Sequence, residues 1–139
     1  MTSRYFVGGL ALAGVMSGAA TGKPSFDPAT GIAFVCAVSG AGRLRPAMTP
    51  AQICAIFKRK IDGAIARPSK AVAAWPVRGN AIRVKVRIDG PNGLSAAAST
   101  RARGKTVHVP EMTVDVMDKA VGFRDVETLA TQLAQMIAP

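Results

Sequence analysis

The sequence predicts an α+β fold, a three- to four-stranded antiparallel meander with two helices packed on one face. Three observations predict it. Ile82, Val84, Val86 and Ile88 alternate strictly with Arg83, Lys85 and Arg87, the pattern of a strand with one buried and one solvated face. The stretches 49–65 and 125–137 instead repeat their apolar residues at helical spacing. Asp89-Gly90-Pro91-Asn92-Gly93 and Gly104 divide the strand-like runs at hairpin intervals. The element order is β-α-β-β-β-α.

Residues 21–31 read as a linker, because two prolines and two glycines in this short stretch disfavour regular structure. Residues 32–139 then form a single small domain. Ile32-Ala-Phe-Val-Cys-Ala-Val38 is a short apolar run with β-branched and aromatic content, ended by Ser39-Gly40, and predicts a buried strand. Residues 39–48 read as a loop. The first helix starts at Thr49, an N-cap followed by Pro50 at the first helical position and by Gln52, which completes a capping box. Its apolar face is Ile53, Ile56, Phe57, Ile61, Ala64 and Ile65. Lys58, Arg59 and Asp62 point away, and Pro68 stops the helix near Ala66.

Residues 67–79 are irregular and hold the single tryptophan, Trp75, which its size favours as a plug of the core. After the 82–88 strand, residues 94–103 alternate. Leu94, Ala96, Ala98, Thr100 and Ala102 fall on one face, and Ser95, Ala97, Ser99, Arg101 and Arg103 on the other. A third strand begins at Lys105. Val107 and Val109 face the core, yet Met112, Val114 and Val116 have the opposite parity, so a β-bulge or bend at Pro110-Glu111 must add a residue. Asp125 is read as the cap of the last helix, whose stripe is Val126, Leu129, Ala130, Leu133, Met136 and Ile137.

The first twenty residues carry a different message. Arg4, an uncharged apolar run from Tyr5 to Met16, and the small residues Ser17-Gly18-Ala19-Ala20 have the order of a cleaved signal peptide over 1–20. The expected location is periplasmic or secreted. The alternative is an inner-membrane anchor through residues 5–20, although that run is short and rich in Gly and Ala for a span. Two cysteines in an exported chain predict one disulfide, Cys36–Cys54, with Cys54 at the edge of the helix facing the strand that carries Cys36. Their spacing, with a single histidine in the chain, matches neither a redox Cys-x-x-Cys nor a zinc site.

The formal charge is +10, and it is uneven: residues 23–105 hold fifteen basic and three acidic side chains, residues 106–139 two basic and five acidic. An excess of this sign favours anionic partners, and the exported compartment points to an anionic envelope component or an acidic protein ahead of nucleic acid. The candidate anion-binding surface is the solvated sheet face, with Arg83, Lys85, Arg87, Arg101, Arg103 and His108 around the small side chains Ser95, Ala97 and Ser99. Cross-strand pairing brings His108 close to Ser99. No acidic residue is expected on this face, so that pair lacks the orienting acid of a nucleophilic triad. Glu111, Asp115 and Asp118 fit no calcium loop and balance the basic sheet. No phosphate-binding glycine loop, zinc motif or nucleophile elbow occurs, so no cofactor, metal or catalytic residue is assigned.

The α-β-β-β-α order over residues 49–138 resembles that of double-stranded-RNA-binding domains. That family carries a lysine cluster at the start of its last helix, where this chain has Asp125 and Glu127, so the likeness is one of element order. The expected role is a non-enzymatic binding or envelope-accessory protein using the basic face. Three alternatives stand beside it: an interaction or inhibitor-like module using the Trp75 loop, a hydrolase using Ser99 and His108, and a cytosolic nucleic-acid binder should the leader not be a signal.

Overall fold

A computed structural model describes residues 26–117 and 119–138. The expected signal sequence, residues 21–25 of the expected linker, and Asp118 lie outside the described residues. The elements in chain order are strand β1 (Ile32–Ser39), a short 3-10 turn (Ala41–Arg43), helix α1 (Pro50–Ile65), strands β2 (Lys70–Ala71), β3 (Asn80–Ile88), β4 (Gly93–Ala102) and β5 (Lys105–Asp115), and helix α2 (Phe123–Ile137).

The class is α+β, with one sheet of order β2-β1-β3-β4-β5 and both helices on its apolar face. The expected meander is only part of it. β3, β4 and β5 are antiparallel, but β1 lies parallel to β3 and to the two-residue β2, giving a five-stranded mixed sheet. The reason is the connection. A parallel neighbour needs a crossover, and α1 supplies it by leaving the end of β1 and returning the chain to the start of β3. The parallel strand that precedes α1 also separates this fold from the double-stranded-RNA-binding order.

The α1 start matches its sequence signals. The Thr49 side chain accepts from the Gln52 N–H at 3.1 Å, and Gln52 Oε1 accepts from the Thr49 N–H at 2.9 Å. Ile53, Ile56, Phe57, Ile61 and Ile65 are buried, whereas Ala64 is exposed. In α2 the N-cap is Gly122, not Asp125. Asp125 sits at the third helical position, where its carboxylate accepts the Gly122 N–H at 2.9 Å and lies against the positive end of the helix. Val126, Leu129, Ala130, Leu133 and Ile137 are buried, and Met136 is half exposed because the stripe has rotated past it.

The core joins these helix faces to Ile32 and Phe34 of β1, the alternating Ile82–Ile88 positions of β3, and Leu94, Ala96 and Ala98 of β4. Leu44 and Val121, both fully buried, come from connections that have no periodicity to reveal them. Gly40 is required where β1 ends: its φ is +77°, and a Cβ there would lie 2.5 Å from the Ile88 carbonyl oxygen.

Residues 26–31 are irregular but tied down. Asn80, buried at the start of β3, donates from Nδ2 to the carbonyls of Asp27 (2.9 Å) and Thr30 (3.0 Å) and accepts the Asp27 N–H at Oδ1 (3.2 Å). Arg67 donates to the same two carbonyls. The Cys36–Cys54 disulfide is formed, joining β1 to α1 across a Cα–Cα distance of 5.8 Å. No helix among the described residues is long and apolar enough to cross a membrane.

Candidate functional site: the solvated sheet face

The face opposite the helices is set by register. Arg83, Ser99 and His108 form one row across β3, β4 and β5, and Arg87, Ser95 and Thr113 form another. Lys85 pairs with Ala97 between them. The two rows stay aligned only because β5 carries an extra residue. Ala96 pairs with Met112 and Ala98 with Val109, so two residues, Pro110 and Glu111, stand against Ala97 alone. The expected bulge is therefore present where the parity of Val109 and Met112 required it.

The bulge also corrects one expectation. With Val109 and Met112 both facing the core, Glu111 is turned to the solvated face, and its carboxylate lies 3.4 Å from Arg87 Nη1. Arg87 Nε also donates to Asp89. The face is thus not free of acids, and Arg87 is paired twice. The Arg87 hydrogen bond, helped by the Ser95 hydroxyl at 2.8 Å, holds the Asp89 carboxyl below the ordinary value of 3.8. A depressed carboxyl stabilises the fold above its unfolded pKa, and that contribution is lost as pH falls through the folded value. Asp89 should therefore titrate below pH 3.8 in a carboxyl-carbon NMR titration. Arg87→Gln should move the midpoint upward, and an unmoved midpoint would refute the assignment.

Arg101 and Trp75, far apart in the sequence, lie together. Trp75 is half-buried on the solvated side, not in the core. The Arg83 guanidinium lies 4.4 Å from the centroid of its ring and that of Arg101 5.0 Å. Arg101 also donates to the carbonyls of Pro76 (2.7 Å) and Gly79 (3.0 Å). Its fork is committed to holding residues 75–79 against the sheet. Nothing local in the sequence announces a backbone acceptor more than twenty residues upstream. Arg103 lies off the sheet face. β4 ends at Ala102, and Arg103 (φ +52°) and Gly104 (φ +78°) form the two-residue turn into β5. Of the acids, Glu111 and Asp115 share the solvated side. No group of acids, histidines or cysteines able to hold a metal ion occurs among the described residues.

Arg83, Lys85, Ser99 and His108 do converge. With Ala97, Ala98 and Val109 they line an open cleft of about 350 Å³. Ser99 Oγ and His108 Nδ1 are 2.9 Å apart, the cross-strand contact expected from the pairing. Beyond the Trp75 ring at Arg83, neither Arg83 nor Lys85 has a hydrogen-bonding or ionic partner among the described residues. A second depression of about 280 Å³ adjoins the cleft through Lys85 and Ala97 and reaches Arg87 and Glu111. The six expected cations thus divide by partner: Arg87 and Arg101 are engaged within the protein, Arg103 sits in a turn, and Arg83, Lys85 and His108 face the cleft. No family model matches the chain, and neither a curated protein nor a solved structure is significantly similar to it.

Proposed function

We propose that the protein is an exported, periplasmic or secreted, non-enzymatic binding protein that uses the solvated sheet face against an anionic envelope component or an acidic protein partner. One observation carries this reading: Arg83 and Lys85, adjacent on one face of β3, line the cleft without an ion-pair partner among the described residues. Unmatched cations on a rigid strand attract anions at little ordering cost. The disulfide fits an oxidising compartment, which supports export. His108 is hydrogen-bonded to Ser99 with no carboxylate orienting it among the described residues, which supports a binding role over nucleophilic catalysis.

Binding of this kind is screened by salt. The protein should co-sediment with phosphatidylglycerol-containing vesicles at low ionic strength and detach as salt is raised. The double variant Arg83→Gln/Lys85→Gln should bind at least tenfold more weakly, while Arg59→Gln on α1 should bind as the native protein does. Equal retention of the double variant would overturn the reading.

The Trp75 loop supports a second reading, a protein-interaction module. Val77 is 96% exposed within a segment that Arg101 holds in place. A partner gripping it would change the emission of the single tryptophan.

A further inference from the structure

Resting on that reading, we infer that the cleft over β4, between β3 and β5, is a site for a phosphomonoester group, held by Arg83 and Lys85 from β3 and by the Ser99 hydroxyl from β4. The charge argument selects the dianion. A carboxylate or phosphodiester brings one negative charge and leaves one of the two cations unmatched. A phosphomonoester brings nearly two at neutral pH, with three terminal oxygens to distribute among the donors.

The geometry argument concerns Arg83. Its guanidinium carbon lies over the Trp75 ring, 4.4 Å from the centroid, and its N–H donors meet no acceptor among the described residues, so the fork is available to a bidentate acceptor. Lys85, two residues along the same face, adds a point charge. The cleft is larger than a phosphate and continues over Ala97 into the adjoining depression, so the group esterified to the phosphate has somewhere to lie.

Ser99 and His108 give the site a signature of its own. The hydroxyl proton has two destinations. If Ser99 donates to His108 Nδ1, its lone pairs face the cleft and repel an anion. If His108 carries its proton on Nδ1 and donates to Ser99 Oγ, the hydroxyl proton is free to point at a phosphate oxygen. Phosphate binding therefore selects the Nδ1–H tautomer. Arg83 and Lys85 line the cleft beside the ring. Neither accepts a hydrogen bond, so neither holds the opposite tautomer.

The test is an NMR titration of the full chain with methyl phosphate and, separately, acetate, following the Arg83 side chain and the His108 ring nitrogens. Methyl phosphate should saturate and bind at least tenfold more tightly than acetate, and it should shift the His108 nitrogens toward the Nδ1–H pattern. Arg83→Lys, which keeps the charge and loses the fork, should weaken methyl phosphate at least fivefold. Ser99→Ala should weaken it and abolish the tautomer shift, whereas Arg59→Gln on α1, away from the sheet face, should do neither. Vesicles then separate the sources. Preference for phosphatidic acid over phosphatidylglycerol at equal surface charge identifies a lipid headgroup, and no preference beside saturable methyl phosphate binding identifies a soluble phosphomonoester. Equal, unsaturable responses to methyl phosphate and acetate, or an unmoved His108 tautomer, overturn the inference. If vesicle binding by the native protein still depends on Arg83 and Lys85 in that case, the broader reading stands without this one. If methyl phosphate saturates while vesicle binding ignores those two residues, the broader reading falls and the site remains.

Discussion

Replacing Phe57 with alanine is expected to destabilise the fold by about 3–5 kcal/mol, the range for losing a fully buried aromatic ring. Phe57 is completely inaccessible and is among the largest buried side chains of the core. It lies on the face of α1 that also carries Ile53, Ile56 and Ile61, within a core made mostly of isoleucine and leucine. Close-packed, branched neighbours relax only partly into the space a ring leaves, so part of the cavity should remain. Urea unfolding followed by Trp75 emission gives the measurement. The midpoint should fall sharply with the slope unchanged. Arg59→Ala, an exposed position 3.7 Å from Glu127, should stay within about 0.5 kcal/mol of the native protein. A Phe57→Ala loss under about 1.5 kcal/mol would mean that the helix layer repacks and that α1 is less firmly seated than its burial implies.

Removing the disulfide ranks second. Cys36 and Cys54 are separated by 18 residues, and closing a loop of that length restricts the unfolded chain by about 3 kcal/mol in the loop-entropy treatment. Cys36→Ala/Cys54→Ala should lower the melting temperature by roughly 10 °C for a domain of this size. The bond also bears on compartment. The chain, expressed in a bacterium with its own first twenty residues, should yield a mass matching removal of those residues, with both thiols protected from alkylation until reduction. An intact, fully reduced and soluble chain would contradict export and would bring nucleic acid forward as the partner of the basic face.

The elements that could be read from the sequence are those whose cause is local. Thr49, Pro50 and Gln52 cap α1 through bonds spanning three residues. The alternation of Ile82–Ile88 with three cations placed both faces of β3. The parity change between Val109 and Met112 located the bulge, and accepting it would also have turned Glu111 outward. What escaped depends on distant partners. An apolar run such as Ile32–Val38 carries no mark of the direction in which its neighbour will lie, and only the return path of α1 makes β1 parallel to β3. Trp75 has a ring large enough for the core, yet the cations of two strands hold it on the other side of the sheet. Arg101 alternates correctly for the solvated face but spends its donors on Pro76 and Gly79. Position in a pattern tells which way a side chain points and not which partner it meets.

The bulge in β5 has a consequence for the company the protein keeps. β5 is the outer strand of the sheet on that side, and an uninterrupted outer strand of 11 residues would offer its backbone to any other extended chain, including a second copy of itself. Pro110 removes one donor near the middle of that edge, and the extra residue throws the two halves out of step, so that a straight incoming strand aligned with one half is misaligned with the other. The kink that carries Glu111 to the solvated side thus also guards a small, alanine-rich sheet against edge-to-edge aggregation.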